Sequence, residues 1–134
     1  VKRTALLEQS AAMPPPPRIR VDDNQGARVV RFLDRQLFED RTVREVNEQI
    51  QSLLPDLRSG DSLILDFSSV QTVSSSMIGK LVLLQRRADA LGARLRLCEL
   101  CETIADVMHT TNLDRVFSID RDLRESLSHL PKAE

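Results

Sequence analysis

The chain has 134 residues, with 19 Lys and Arg against 20 Asp and Glu, for a net charge of −1. That length gives one domain, large enough to bury a core without disulfide or metal support. The charge balance argues against nucleic acid, whose phosphates call for a basic surplus. Four Phe with no Trp and no Tyr leave no stacking platform for bases or sugars, so the core must come from Leu, Val and Ile.

No apolar run approaches the roughly 20 residues of a membrane span. The N-terminus lacks the apolar stretch of a signal peptide. Val1 in place of an initiating Met fits a segment excised from something longer. Two cysteines without an export signal point to a reducing cytoplasm. Residues 1–17, ending in Pro14 to Pro17, read as a disordered Pro-rich tail, because a polyproline rod continues neither helix nor strand. The domain is expected over residues 18–134.

In chain order, Arg18–Val21 alternates, Asp22–Gly26 forms a turn and Arg28–Leu33 is a second strand, together a hairpin. Leu33–Asp40 is a connection whose Leu37 and Phe38 are expected to pack inward. Residues 41–54 predict a helix with Val43, Val46, Ile50, Leu53 and Leu54 in one stripe, capped by Asp40 or Thr42. Pro55 and Gly60 bracket its end. Ser62–Phe67 is a nearly continuous apolar run, the pattern of a strand covered on both faces. A serine turn, Ser74-Ser75-Ser76, then opens a helix of about four turns from Ser76 to Leu91. Its inner face is read as Ile78, Leu81, Val82, Gln85, Ala88 and Leu91, and Gly92 ends it as a left-handed cap.

Arg94–Cys98 alternates as a further strand. Thr103–Thr110 is a short helix with Ile104, Ala105, Val107 and Met108 inward. Asn112 suits a left-handed helix end. Leu113, Val116 and Phe117 return to the core, Ser118–Ile119 is an edge strand, and Asp120–Leu130 is a last amphipathic helix on Leu123, Leu127 and Leu130. The order β-β-α-β-α-β-α-(β)-α predicts an α/β fold: a mixed, mostly parallel sheet of four to five strands with about four helices.

These elements carry specific residues. Leu65-Asp66-Phe67 ends the apolar strand, Ser74-Ser75-Ser76-Met77-Ile78-Gly79 opens the next helix, Leu95-Arg96-Leu97 follows, and Thr111-Asn112-Leu113-Asp114-Arg115-Val116-Phe117 comes later. Over roughly residues 18–130 this resembles the STAS domain of bacterial anti-sigma-factor antagonists. That family has D-S-S-G-x-G at the start of the helix and T-G-L-D-R-V-F later. Here Ser74 stands for the family's Asp and Met77 for its first Gly. The family's phosphorylated serine falls on Ser75, with Ser74 and Ser76 as near alternatives.

The resemblance implies a regulator of transcription with no catalysis and no cofactor of its own. Its partner would be an anti-sigma factor or related serine kinase, with a phosphatase to reverse the mark. Docking would use Ser74, Ser75, Ser76, Met77, Gly79 and Lys80, and Met77 would add bulk where a kinase approaches. On the residues alone, the serine turn reads first as an N-cap, and the resemblance puts the phosphoacceptor reading level with it. A STAS scaffold or ligand sensor that is never phosphorylated is the alternative.

An enzyme reading has little to stand on. Cys98-Glu-Leu-Cys101 is a lone C-x-x-C, and a zinc site would need His109 and His129 as well. Phosphate-binding glycine loops and the G-x-S-x-G elbow are absent.

Overall fold

The computed structural model describes residues 16–130. The expectation of a tail therefore lies largely outside the described residues. Strand β1 (Ile19–Asn24) pairs antiparallel with β2 (Ala27–Phe32). Only Gln25 and Gly26 separate them, both at positive φ (54° and 89°), as a type I′ hairpin turn requires. The turn is tighter than the five residues expected.

Strand β3 (Gln36–Leu37) leads into α1 (Asp40–Gln51). Neither Asp40 nor Thr42 caps this helix. The N-cap is Glu39, without a side-chain hydrogen bond, and Thr42 is buried. Val43, Val46 and Ile50 are buried as the stripe predicts, and Leu54 follows them from a short 3-10 turn, Leu54–Asp56.

Strand β4 (Ser62–Asp66) is buried at every position. It is followed by β5 (Thr72–Val73), α2 (Ser75–Leu91), β6 (Arg94–Cys98), α3 (Glu102–Thr110), β7 (Ser118–Asp120) and α4 (Leu123–Ser128). The main sheet runs β1-β2-β4-β6-β7 and is parallel except for the β1–β2 pair. The α/β class and the mixed, mostly parallel sheet are as expected. A second sheet, β3 with β5 in parallel, is new.

Strand alternation divides the sheet into two faces. Val30, Phe32, Leu63, Leu65, Leu95 and Leu97 face the main core, with Val43, Val46 and Ile50 of α1 and Leu81 and Leu84 of α2. Ala27, Val29, Ile64 and Cys98 face the other way and meet Leu123 and Leu127 of α4, with Leu130 just beyond it.

The inner face of α2 differs from the face that periodicity suggests. Met77, Leu81, Leu84 and Ala88 are buried, whereas Leu91 is exposed. In α3 only Ile104 and Met108 are buried, and Val107 points outward. Val116 is also exposed, while Phe117 returns to the core. Asn112 does adopt the left-handed conformation, at φ 61°. Gly92 caps α2 at φ 74°, and a Cβ there would stand 2.7 Å from Ser59 Oγ.

Candidate functional site

The serine turn is held from two sides. At the end of β4, the buried Asp66 accepts from the Ser68 backbone N–H at 2.8 Å and from Arg31 Nη2 at 3.1 Å. Arg31 is its register neighbour on β2. Phe67 packs against Phe32 with ring centroids 4.7 Å apart, and the chain turns sharply where Val70 N–H reaches the Phe67 carbonyl. The small sheet then takes over. Gln71 N–H bonds the Arg35 carbonyl at 2.7 Å, and Ser74 N–H bonds the Leu37 carbonyl at 2.9 Å. The backbone entering α2 is thereby fixed to the connection before α1.

This geometry assigns the three serines different tasks. Ser74 is the N-cap, with extended φ and ψ, and its Oγ accepts from the Met77 N–H at 3.1 Å. Such a cap contributes about 1 kcal/mol. Ser75 and Ser76 occupy the first two helical positions and are exposed. The first turn carries no acidic residue, so the helix supplies no carboxylate of its own to offset its positive end.

Met77 corrects an expectation. It is 1% exposed and belongs to the main core, so its side chain offers a partner no surface. The third helical position points inward here, and the core needs bulk there. Gly79 is the opposite case. It is exposed, its φ is ordinary, and a Cβ would meet nothing within 4 Å. Nothing in the fold calls for glycine there. We expect Gly79→Ala to stabilise the domain by about 0.5–1 kcal/mol in urea denaturation, since glycine inside a helix costs that much relative to alanine. An unchanged or lower midpoint would mean that the helix has a local need for glycine.

A family model for the STAS domain matches residues 25–126, well over half of the chain. The chain belongs to the STAS family. Solved structures agree in fold. An anti-sigma-factor antagonist (STAS) domain protein from Planctomyces limnophilus is 20% identical, with a TM-score of 0.75 over 84% of this chain and 97% of that one. An anti-sigma factor antagonist from Mycobacterium paratuberculosis is 19% identical, with a TM-score of 0.68 over 84% and 92%. The Bacillus cell fate determinant SpoIIAA, in its phosphorylated form, is 16% identical, with a TM-score of 0.61 over 84% and 99%. At these identities the likeness establishes the fold.

Other candidates in this STAS domain do not converge on a site. Cys98 ends β6 on the α4 side of the sheet, while Cys101 packs against the main core as the N-cap of α3. Burial, with the charge of Asp66 next, pushes the Cys98 thiol up to about 12, which keeps it protonated and inert at neutral pH. His109 is paired with Asp114 at 3.0 Å, and His129 lies 3.4 Å from Asp120, each at its own place. Among the described residues no three His, Cys, Asp or Glu side chains are grouped to hold a metal. No helix among them is long and apolar enough to cross a membrane.

Two neighbours of the turn give no clear signal in the sequence. Phe38, expected to pack, is 61% exposed beside the Leu37 carbonyl that holds Ser74, while Leu37 itself is fully buried. Arg31 is legible only through register: once β2 lies beside β4, it falls opposite Asp66.

Proposed function

We propose that this STAS domain is a regulatory binding module of the anti-sigma-factor-antagonist kind. An anti-sigma factor or related serine kinase docks over Ser75, Ser76, Gly79 and Lys80. Phosphorylation of Ser75 releases it, and a phosphatase resets the turn. The γ-phosphoryl of the kinase's ATP passes to Ser75 Oγ, whose proton leaves, and ADP is the product. Catalysis belongs to the partner.

The observation that carries this reading is the division of labour among the serines. The Ser74 hydroxyl is committed to the cap, which leaves Ser75 and Ser76 exposed for modification. A phosphate at Ser75 would add roughly −1.5 to −2 charges. It would stand at a helix N-terminus, which favours anions. The fold would keep its geometry while a docked surface would be repelled. The buried Met77 side chain removes the steric objection to a kinase approaching.

The test mixes the purified domain with ATP and each serine-kinase anti-sigma factor of the same genome, followed by mass spectrometry. We expect one phosphate on Ser75, lost in Ser75→Ala and kept in Ser74→Ala. Ser75→Asp should weaken partner binding by about tenfold or more, the scale of roughly 1.4 kcal/mol of like-charge repulsion. A kinase that binds tightly yet leaves residues 74–76 unmodified would favour the unphosphorylated scaffold instead.

A further inference from the structure

The exposed side of α2 continues past the serines into a basic cleft. Ser76, Lys80, Leu83, Arg87 and Ala90 follow one another at helical spacing, a line of about 21 Å. From Lys80 onward this line bounds, against α1, a cleft of about 490 Å³, with Asn47 and Gln51 on the α1 wall. Arg86 adds a third cation to the lining, and among the described residues no carboxylate lines the cleft. Lys80, Arg86 and Arg87 form no ion pair among the described residues. The whole chain carries −1, so this surplus is a matter of placement and not of composition. Between the cations, Leu83 is 52% exposed. On the α1 wall, Gln51 keeps its Oε1 buried with no hydrogen-bond partner among the described residues.

We propose that this cleft seats an acidic segment of the docking partner, one that places an apolar side chain against Leu83 and its carboxylates against Lys80, Arg86 and Arg87. The proposal rests on the docking reading above and specifies the partner's chemistry. Three unpaired cations around an exposed leucine complement an acidic amphipathic helix in both charge and apolarity. It also gives phosphorylation a second lever. Ser76 stands one helical turn from Lys80, with Ser75 beside it. A phosphate there competes with the partner's carboxylates for the nearest cation and repels the rest.

The test measures affinity for the docking kinase at low and high salt for the wild type, for Arg86→Glu/Arg87→Glu, for Ser75→Asp and for the combination. Both arginines are exposed, and circular dichroism checks that the fold is kept. The expected result is at least a tenfold loss on charge reversal, with a flatter salt dependence, and a smaller effect of Ser75→Asp in the reversed background. If Ser75→Asp weakens binding and the arginine reversal does not, docking at the turn stands and the acidic-segment proposal falls. If neither change matters, both fall.

A second arm needs no kinase. A synthetic helical peptide with Glu and Leu at amphipathic spacing is titrated into the 15N-labelled domain. Shifts confined to Asn47, Gln51 and residues 80–90, abolished by the arginine reversal, support the proposal. No binding, or shifts elsewhere, overturns it. Retention on phosphatidylglycerol vesicles in preference to the peptide would assign the cleft to a lipid surface. A salt-sensitive dimer lost on arginine reversal would assign it to a second copy. Either result also overturns the proposal.

Discussion

Met77→Gly, which restores the residue the family's motif carries at this position, is expected to lower unfolding free energy by about 4 kcal/mol. Met77 is 1% exposed and joins Leu81 and Leu84 in the main core. Emptying such a site costs roughly 2–5 kcal/mol in transfer and cavity energy, and glycine inside a helix adds about 0.5–1. Against a typical total of roughly 5–15 kcal/mol, the variant would be marginal. Met77→Leu keeps the volume and should cost less than about 1.5 kcal/mol. Urea denaturation of the two variants checks both values. A loss below about 1 kcal/mol for Met77→Gly would mean that neighbouring side chains refill the space, and that the bulk is not needed by this core. The departure from the family's motif at Met77 is therefore a matter of core packing, and the exposed serines and Gly79 at the start of α2 are left as they are.

The same residue shows where the sequence is legible and where it is not. Strand β4 is readable because all five of its positions are buried, and a short continuous apolar run before a turn is what a strand covered on both faces requires. Helix α2 is readable as a helix but not in its orientation. Its apolar residues, Met77, Ile78, Leu81, Val82, Leu83, Leu84 and Leu91, are spread over more than one face, so several stripes fit the periodicity. Packing selects Met77, Leu81, Leu84 and Ala88, leaving Leu83 and Leu91 exposed.

The small sheet of β3 and β5 gives no signal because two residues cannot show alternation. Yet it sets the entry to α2 through the Ser74–Leu37 hydrogen bond. The serine turn itself is legible as a motif. The separate roles of its hydroxyls are not, since Ser74, Ser75 and Ser76 are chemically identical until the helix start is placed. The basic cleft is half visible: Lys80 adjoins the motif and Arg86-Arg87 stands out as a basic pair, but the α1 wall opposite them is a product of tertiary packing.

Asp120→Ala is expected to destabilise the domain by about 3–4 kcal/mol, although Asp120 is far from the turn along the chain. The carboxylate is 4% exposed on the α4 side of the sheet. It accepts from Arg96 Nε at 2.6 Å and Nη2 at 2.9 Å, and from Ser126 Oγ at 2.6 Å. It thus joins β6, β7 and the short α4, a helix of six residues that could not persist alone. Removing it leaves a partly buried Arg96 without its counter-charge and the Ser126 hydroxyl, fully buried, without its acceptor. Arg96→Met/Asp120→Leu should recover about 2 kcal/mol of the loss, because the penalty lies mainly in the orphaned charge.

The pH dependence separates this account from simple loss of packing. Burial alone would raise the Asp120 carboxyl, but the hydrogen bonds from Arg96 and Ser126, together with the charges of Arg96 and His129, outweigh it and hold the group below its ordinary 3.8. A carboxyl depressed in the folded state contributes fully above its unfolded value, and its contribution fades as pH falls through the folded one. The stability gap between wild type and Asp120→Ala should therefore be widest near neutral pH and close progressively below about pH 4. A gap unchanged between pH 7 and pH 3 would show that the carboxylate's charge is not what holds α4 to the sheet. Because α4 packs on the face opposite α1 and α2, binding of the proposed partner by the folded fraction of Asp120→Ala should match the wild type.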